Sequence, residues 1–146
     1  MDSRGIMTVD LMFATLLIVI LSGSIITVIS DRIDATSQTE ELGKARMIAE
    51  SVAEAINKAY SGGNGHLETI SLANNIKDKN YYINVNSSGV YVTVGGMTGK
   101  SYIVPKKFSN SNLLDEAQIT LHNGANYTIK NVNSSDGSNW IVITHS

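Results

Sequence analysis

Twenty consecutive residues, from Leu11 to Ser30, carry no charged side chain, and an aspartate flanks the run on each side. Seventeen of the 24 residues from Ile6 to Ile29 are hydrophobic. An α-helix rises about 1.5 Å per residue, so this run reaches about 30 Å, the thickness of the hydrocarbon core of a bilayer. The run therefore predicts a membrane-spanning helix, and the remaining length leaves room for one small domain.

A secretory signal peptide is the first alternative for this segment. Leu11–Leu21 has the length of a signal-peptide apolar stretch, and Ser22-Gly23-Ser24 offers small residues for cleavage. The chain stays apolar through Ile29, however, and the positive charge of Arg4 is partly offset by Asp2. These features favour a helix that is retained. The arginine also favours an amino terminus on the cytoplasmic side, although charges follow the helix as well.

A helical pattern continues beyond the apolar run. Apolar residues recur at intervals of three and four, which places them on one helix face. They are Leu42, Ala45, Ala49, Val52, Ile56 and Ala59, widened by Ile48, Ala53 and Tyr60. The opposite face carries Glu40, Glu41, Lys44, Arg46, Glu50, Glu54 and Lys58. Two pairs, Glu40–Lys44 and Glu54–Lys58, have the favourable i, i+4 order. The pattern predicts an amphipathic helix over residues 31–61 that packs on a following domain and ends at the glycine-rich residues 62–65.

Residues 62–146 change to the alternation of β-strands, with turn signals at residues 86–89 and 123–124. The predicted strands are His66–Leu72, a strand around Tyr82 and Val85, Val90–Val94, Ser101–Val104, Gln118–His122, Tyr127–Val132 and Trp140–Thr144. Asn74–Asn80 and Phe108–Glu116 are expected to be connecting loops, the second with a helical turn. Trp140, the single tryptophan, is expected in the core.

The sequence therefore predicts an α+β fold. A long amino-terminal helix, membrane-spanning in its first half and amphipathic in its second, packs on a carboxy-terminal antiparallel β-domain. About seven short strands separated by turns indicate a sandwich or a small barrel-like sheet.

The residues before the apolar run are Arg4-Gly5, followed by Ile6-Met7-Thr8-Val9-Asp10. This arrangement resembles the class III signal peptide of archaeal type IV pilin-like proteins. In that family a prepilin peptidase cuts after the glycine on the cytoplasmic side, the apolar helix is retained, and an acidic residue five places after the cut helps subunits assemble. The resemblance implies processing at Arg4, Gly5 and Ile6 and an assembly role for Asp10. Two positions differ from the usual pattern, which has Glu as the acid and, in many archaeal members, Gln as the first mature residue.

Cleavage after Gly5 would create an α-ammonium at Ile6 with a pKa of about 8. Inside a filament this cation needs a partner, and Asp10 of a neighbouring subunit could supply one. The alternative for Asp10 is an ordinary charge at the membrane interface. The resemblance implies a leader over residues 1–5, a filament-core helix over 6–30, its amphipathic continuation over 31–61, and an extracellular β-domain over 62–146.

The function that the resemblance implies is that of a major or minor pilin in an archaeal type IV pilus-like surface filament, assembled by helix bundling. The precursor would lie in the cell membrane, and its partners would be other copies or other pilins, the prepilin peptidase and, before assembly, the membrane. Adhesion, motility and DNA uptake are all open as roles. The alternatives are a monomeric single-pass anchored extracellular binding domain and a membrane-tethered enzyme.

Residue types and spacings predict no catalytic, cofactor or metal site. Cysteine is absent, and a net charge of −2 without a basic block does not predict a nucleic-acid partner. The run Gly95–Ser101 is one residue short of a phosphate loop and precedes an extended segment, so a glycine-rich hairpin is predicted. His66, His122 and His145 lie on separate segments and form no recognised metal or catalytic motif.

Asparagine-rich segments suggest two further kinds of site. Asn131, Asn133, Ser135 and Asp136 offer oxygens to Ca²⁺, but a tight site needs more carboxylates, so a polar turn is predicted there. Three Asn-x-Ser/Thr triplets begin at Asn86, Asn126 and Asn133, and these are candidate N-glycosylation sites. Their location after the membrane helix agrees with an exterior domain.

Overall fold

The structure is a computed structural model that describes residues 3–110 and 117–146, with the backbone alone for residues 3–7. The chain divides into two compact units between Thr39 and Glu40. Helix α1 (Ser3–Ser61) is continuous through that division. After α1, the described residues of the second unit form β-strands and their connections.

Eight strands form two four-stranded sheets in the described part of the chain. They are β1 (Leu67–Ser71), β2 (Tyr81–Asn86), β3 (Gly89–Val94), β4 (Met97–Ser101), β5 (Phe108–Ser109), β6 (Ile119–His122), β7 (Asn126–Asn133) and β8 (Asn139–His145). The first sheet has the order β1-β7-β8-β5 and the second the order β4-β3-β2-β6. Neighbouring strands are antiparallel except β5 and β8, which are parallel.

The apolar stripe of α1 and the inner faces of both sheets share one core. Ala45, Ala49, Val52, Ala53, Ile56 and Ala59 are buried there, as the helical spacing predicts. The sheets contribute alternate residues, such as Ile83 and Val85 of β2 and Ile129 of β7. The predicted α+β arrangement, a long helix packed on a largely antiparallel β-domain, is thus confirmed.

Two predictions about the strands are wrong. The strand predicted at Ser101–Val104 is instead β4 (Met97–Ser101), because a tight turn at Gly95-Gly96 pairs Met97 with Val94 at once. The pairing ends where Ser101 meets Val90, near the start of β3. Beyond the strand, the Val104 amide donates to Asn57 Oδ1 of α1 at 2.8 Å.

The second error is the loop predicted at Phe108–Glu116. Phe108 and Ser109 form β5, which pairs with β8 through Ile141 and Val142. A two-residue strand is too short to show an alternating pattern, and its partner lies far along the chain. The helical turn expected later in that loop falls on residues 111–116, which lie outside the described residues.

The charged face of α1 also differs from the prediction at one position. Glu41 is buried, and its two carboxylate oxygens accept hydrogen bonds from Lys79 Nζ at 2.8 and 2.9 Å. Glu40 pairs with Lys44 at 3.2 Å as predicted, whereas Lys58 pairs with Glu68 of β1 at 3.3 Å. One predicted surface carboxylate is therefore part of the packing between α1 and the β-domain.

The connection Asn74–Asn80 is confirmed as a loop, and it contains a tight turn. The backbone groups of Ile76 and Lys79 exchange two hydrogen bonds of 2.9 and 3.0 Å. Between them, Lys77 and Asp78 have φ angles of 48° and 60°. The left-handed region costs a non-glycine residue roughly 1–2 kcal/mol, so the surrounding contacts must hold this turn in place.

The carboxy-terminal end of α1 lies where the glycine-rich segment predicts it. Asn131 of β7 is buried and donates its amide Nδ2 to the Tyr60 carbonyl oxygen at 2.9 Å. This bond satisfies one of the carbonyls that a helix leaves open at its end. The only tryptophan, Trp140, is buried as expected but lies outside the main core cluster, with Lys107 Nζ 5.2 Å from its ring centroid.

Gly99 of β4 lets the strand lie directly against the backbone of α1. A Cβ at this position would lie 2.6 Å from the Arg46 amide nitrogen and 2.7 Å from the Ala45 carbonyl carbon. Neither atom can move without shifting the helix. We therefore expect Gly99→Ala to lower the free energy of unfolding by roughly 1–3 kcal/mol.

Gly43→Ala is the matched control, because a Cβ on this helical glycine meets no atom within 4 Å. It should raise the free energy of unfolding by up to about 1 kcal/mol through helix propensity. Urea denaturation followed by the fluorescence of Trp140 measures both variants. Equal stability of the two variants would contradict the close contact between β4 and α1.

Candidate functional site

The amino-terminal half of α1 presents an apolar surface on all its sides. Fifteen large apolar side chains between Val9 and Ile33 are each 51–71% exposed. They are Val9, Leu11, Met12, Phe13, Leu16, Leu17, Ile18, Val19, Ile20, Leu21, Ile25, Ile26, Val28, Ile29 and Ile33. Six consecutive members, Leu16–Leu21, go more than once around a helix of 3.6 residues per turn. This apolar surface therefore has no polar face to turn toward water.

The hydroxyl groups within the apolar surface are bonded to the helix itself. Ser22, Ser24 and Ser30 each donate to the carbonyl oxygen four residues earlier, at 2.7, 3.0 and 3.1 Å. Thr15 and Thr27 do the same at 3.0 and 3.1 Å. Hydrocarbon offers no hydrogen-bond partner, so a hydroxyl is tolerated there when it bonds within its own helix. The surface is thus suited to lipid or to other apolar helices.

This helix is long and apolar enough to cross a membrane. An apolar surface of this extent on a soluble domain would drive aggregation, so it needs a nonaqueous environment. The structure is accordingly compatible with a chain that is anchored in a membrane at its amino-terminal helix.

Charged groups bound the apolar surface at both ends. Asp10 is exposed at its start, and Asp31, Arg32 and Asp34 are exposed at its end. Asp10 lies four residues after Ile6, so the two residues occupy the same helix face about one turn apart. Arg4, Gly5 and Ile6 lie in the first turns of α1, where the structure describes only the backbone.

The three candidate glycosylation asparagines differ in accessibility. Asn126 and Asn133 are exposed at the two ends of β7. Asn86 is half-buried at the end of β2, and its Oδ1 accepts a hydrogen bond from the Ser88 amide at 2.8 Å. The side chains of Asn126 and Asn133 are thus more accessible to a modifying enzyme than that of Asn86.

The segment that resembles a phosphate loop is a hairpin, as predicted. Gly95 and Gly96 have φ angles of 55° and 82° and form the turn between β3 and β4. The chain continues as a strand after the turn. Phosphate loops instead precede a helix amino terminus, whose amides bind the phosphate.

The histidines lie apart from one another in the described part of the chain. His66 Nε2 lies 3.1 Å from Glu68 Oε1, and the ring of His145 packs edge-on against Tyr127 with centroids 5.4 Å apart. His122 is exposed on β6. Among residues 8–110 and 117–146, no three His, Cys, Asp or Glu side chains are grouped as metal ligands would be.

Two of the residues considered for Ca²⁺, Asn131 and Asp136, make structural hydrogen bonds. The side-chain amide nitrogen of Asn131 donates to the Tyr60 carbonyl oxygen at the end of α1. Asp136 accepts hydrogen bonds from the Ser138 amide at 2.9 Å and from the Ser138 hydroxyl at 2.5 Å. These bonds hold the pKa of Asp136 below its ordinary value. Ser135 and Asp136 lie in a polar turn, as predicted, whereas Asn131 and Asn133 belong to β7.

A groove of about 340 Å³ lies between α1 and the edge strand β1. Apolar side chains such as Ile48, Val52 and Leu72 line it together with the hydroxyl groups of Ser51, Thr69 and Ser71. Its lining offers apolar contact and hydroxyl hydrogen bonds. The residues of that lining include no ionisable side chain.

The charge pattern of α1 does not predict the buried position of Glu41, although a signal for it exists in the sequence. Glu41 precedes Ala45 by four residues, so it belongs to the apolar stripe by its spacing. A carboxylate on the buried stripe of a helix requires a cation from another element. Lys79 supplies that cation.

Comparisons of the chain with protein-family models, with curated proteins and with solved structures give no match. The function is therefore inferred from the apolar surface and from the residues that bound it.

The Glu68 carboxylate connects β1 to the end of α1 and should make the stability depend on pH. Its hydrogen bond to His66 and its contact with Lys58 hold its pKa below the ordinary value of 4.5. The unfolded chain binds the proton more readily, so Glu68 contributes stability above about pH 4.5. That contribution is lost as the pH falls through the lower pKa of the folded state.

We expect Glu68→Gln to flatten the loss of stability that sets in as the pH falls below about 4.5, since glutamine does not titrate. Urea denaturation at several pH values, followed by Trp140 fluorescence, measures the slope. His66→Gln removes the main cause of the shift and should flatten the slope in part. An unchanged slope in Glu68→Gln would show that this carboxylate does not couple folding to protons.

Proposed function

We propose that this chain is a structural subunit of a type IV pilus-like surface filament. After cleavage between Gly5 and Ile6, the apolar helix would leave the lipid and bundle with the helices of other subunits, while the β-domains form the outer surface. The observation that supports this most is the apolar surface, exposed on all sides and bounded by Asp10. In such a bundle the Asp10 carboxylate, one helical turn from the predicted new amino terminus, would pair with the amino terminus of a neighbouring subunit.

The energetics of bundling explain why a charged pair would matter. Moving an apolar helix from lipid to other helices gains little hydrophobic free energy, because lipid tails are as apolar as the side chains. Van der Waals packing then contributes most of the attraction, and it is not directional. Bundling alone would therefore leave the axial position of one helix against the next weakly specified.

An ion pair between the new α-ammonium of Ile6 and the Asp10 carboxylate of a neighbouring subunit would fix the axial position of the two helices. An isolated charge in an apolar environment costs several kcal/mol, whereas a paired one costs much less. A bundle in which Asp10 of one subunit meets the amino terminus of the next is therefore favoured over shifted arrangements. Removing one partner would leave the other charge buried and unpaired, which would oppose incorporation as well as loosen the register.

The first test is the mature amino terminus of the protein made in its own cells. Intact-mass measurement and amino-terminal sequencing should find a chain that begins at Ile6, shorter by the five residues 1–5. Gly5→Leu should abolish that cleavage, because the peptidase of this pathway cuts after the glycine.

Gly23→Leu is the matched control, since it changes a glycine within the helix and should leave the cleavage intact. A mature chain that begins at Met1 would instead support a single-pass anchored monomer. A mature chain that begins after Ser24 would indicate secretion of the β-domain and would contradict the proposal.

The second test is incorporation of Asp10 variants into filaments. Asp10→Ala should lower the amount of subunit in sheared filaments at least tenfold, because the α-ammonium of Ile6 loses its partner. The amount in the membrane fraction should not change, since the span itself is intact. Quantitative immunoblots of the two fractions measure this ratio.

Two variants serve as controls for this experiment. Asp10→Glu keeps the carboxylate and should retain most of the incorporation. Asp34→Ala removes an exposed carboxylate beyond the other end of the apolar surface and should have little effect. Normal incorporation of Asp10→Ala would remove Asp10 from the assembly mechanism.

A further inference from the structure

Two adjacent glutamates of α1 are both engaged by lysines of one turn. Lys79 Nζ donates to both carboxylate oxygens of the buried Glu41, and Lys77 Nζ pairs with Glu40, which also contacts Lys44 at 3.2 Å. The turn formed by Ile76–Lys79 is thus tied to one point of the helix by two ion pairs.

The turn between β3 and β4 also lies against the Glu41 carboxylate. Gly95, in the β3–β4 turn, has a φ of 55°, and a Cβ there would lie 3.2 Å from Glu41 Oε2 and 3.5 Å from Lys79 Nζ. The carboxylate of Glu41 therefore lies between α1 and two turns of the β-domain. Its burial, with a side chain only 3% exposed, makes separation from Lys79 costly.

The backbone between the two lysines is strained, as its left-handed Lys77 and Asp78 show. Such residues persist only where surrounding contacts impose the conformation, and they are often found at clamps and switches. A glycine or asparagine would relieve the strain but, at position 77, would also remove an ion pair with the helix. The ion pairs that the two lysines make with α1 are therefore contacts that hold this strained turn in place.

We propose that the 76–79 turn is a latch that fixes α1 to the β-domain at Glu40 and Glu41 and can release it there by a local opening. Glu40 is the first residue of the compact unit that contains the β-domain. The latch determines where along α1 the part held by that unit begins. When it opens, the turn of helix from Glu40 to Lys44 loses its attachment, which frees the carbonyls to which the amides of residues 45–48 are bonded. The segment from Ala45 to Ala59 stays in the core. All contacts of the latch lie within the unit Glu40–Ser146, so the latch does not depend on filament assembly.

Hydrogen–deuterium exchange of the full chain in detergent micelles tests the latch. In the double variant Lys77→Ala, Lys79→Ala, amides of residues 41–48 should exchange at least tenfold faster than in the original protein. Amides of residues 52–60 should stay within threefold, because their packing on both sheets is unchanged. Trp140 fluorescence verifies that the β-domain of each variant is folded.

Three further variants complete the experiment. Lys44→Ala removes a lysine that contacts Glu40 from within the helix, and it should leave exchange within threefold throughout. Asp78→Gly relieves strain while keeping both lysines, and it too should leave residues 41–48 within threefold. Lys77→Ala alone, which keeps the contact between Lys79 and Glu41, should give an intermediate acceleration and replaces the double variant if the latter does not fold.

The pattern of exchange separates a latch from a general contribution to stability. Faster exchange confined to residues 41–48 supports a latch. Unchanged exchange of that segment, or equal acceleration of residues 41–48 and 52–60, would overturn it. An acceleration in Lys44→Ala as large as in the lysine variants of the turn would overturn it as well.

Discussion

The apolar surface of α1 is unfavourable in water, and this constraint separates the two halves of the helix. The first half needs a nonaqueous environment, and the second half packs on the β-domain. Every side of the helix between Val9 and Ile33 exposes large apolar side chains, and the hydroxyls among them are bonded within the helix. Beyond that region the same helix carries charged residues on one side and small apolar residues on the other. One continuous helix therefore combines an apolar surface suited to a nonaqueous environment with a surface that packs on the β-domain.

The β-domain depends on the helix for its core. Alanines dominate the buried stripe of α1, and small side chains allow both sheets to approach the helix closely. Gly99 shows how closely β4 approaches the helix, because a Cβ there would clash with the backbone at Ala45 and Arg46. Since the inner faces of both sheets would be exposed without the stripe, the helix cannot leave the domain without unfolding it. A force or a change of position applied to that part of the helix would thus reach the β-domain directly.

The parts of the fold that follow from local patterns could be predicted from the sequence. The apolar run, the stripe at intervals of three and four, and the glycines after Ser61 each carry their signal within a few residues. The parts that were missed arise from contacts between distant segments. Phe108 becomes a strand residue because β8 lies beside it, and Glu41 is buried because Lys79 comes from the 76–79 turn. Trp140 is covered from outside the core by Lys107, which alternation along β8 does not reveal. The candidate residues Arg4, Gly5, Ile6 and Asp10 were found by their order in the sequence, since their proposed chemistry involves a peptidase and a neighbouring subunit.

Asp10 and Glu41 pose the same physical problem at two places on one helix. Apolar contacts are not directional, so a helix with a smooth apolar stripe can shift along its neighbour at modest cost. A carboxylate in such a contact removes that freedom, because it is stable only where a cation meets it. At Glu41 the cation is the ammonium of Lys79, and it fixes the helix against the β-domain. At Asp10 the proposed cation is the amino terminus that cleavage creates. Because that cation exists only after cleavage, a precursor would lack the contact that sets its register, and processing would have to precede ordered assembly.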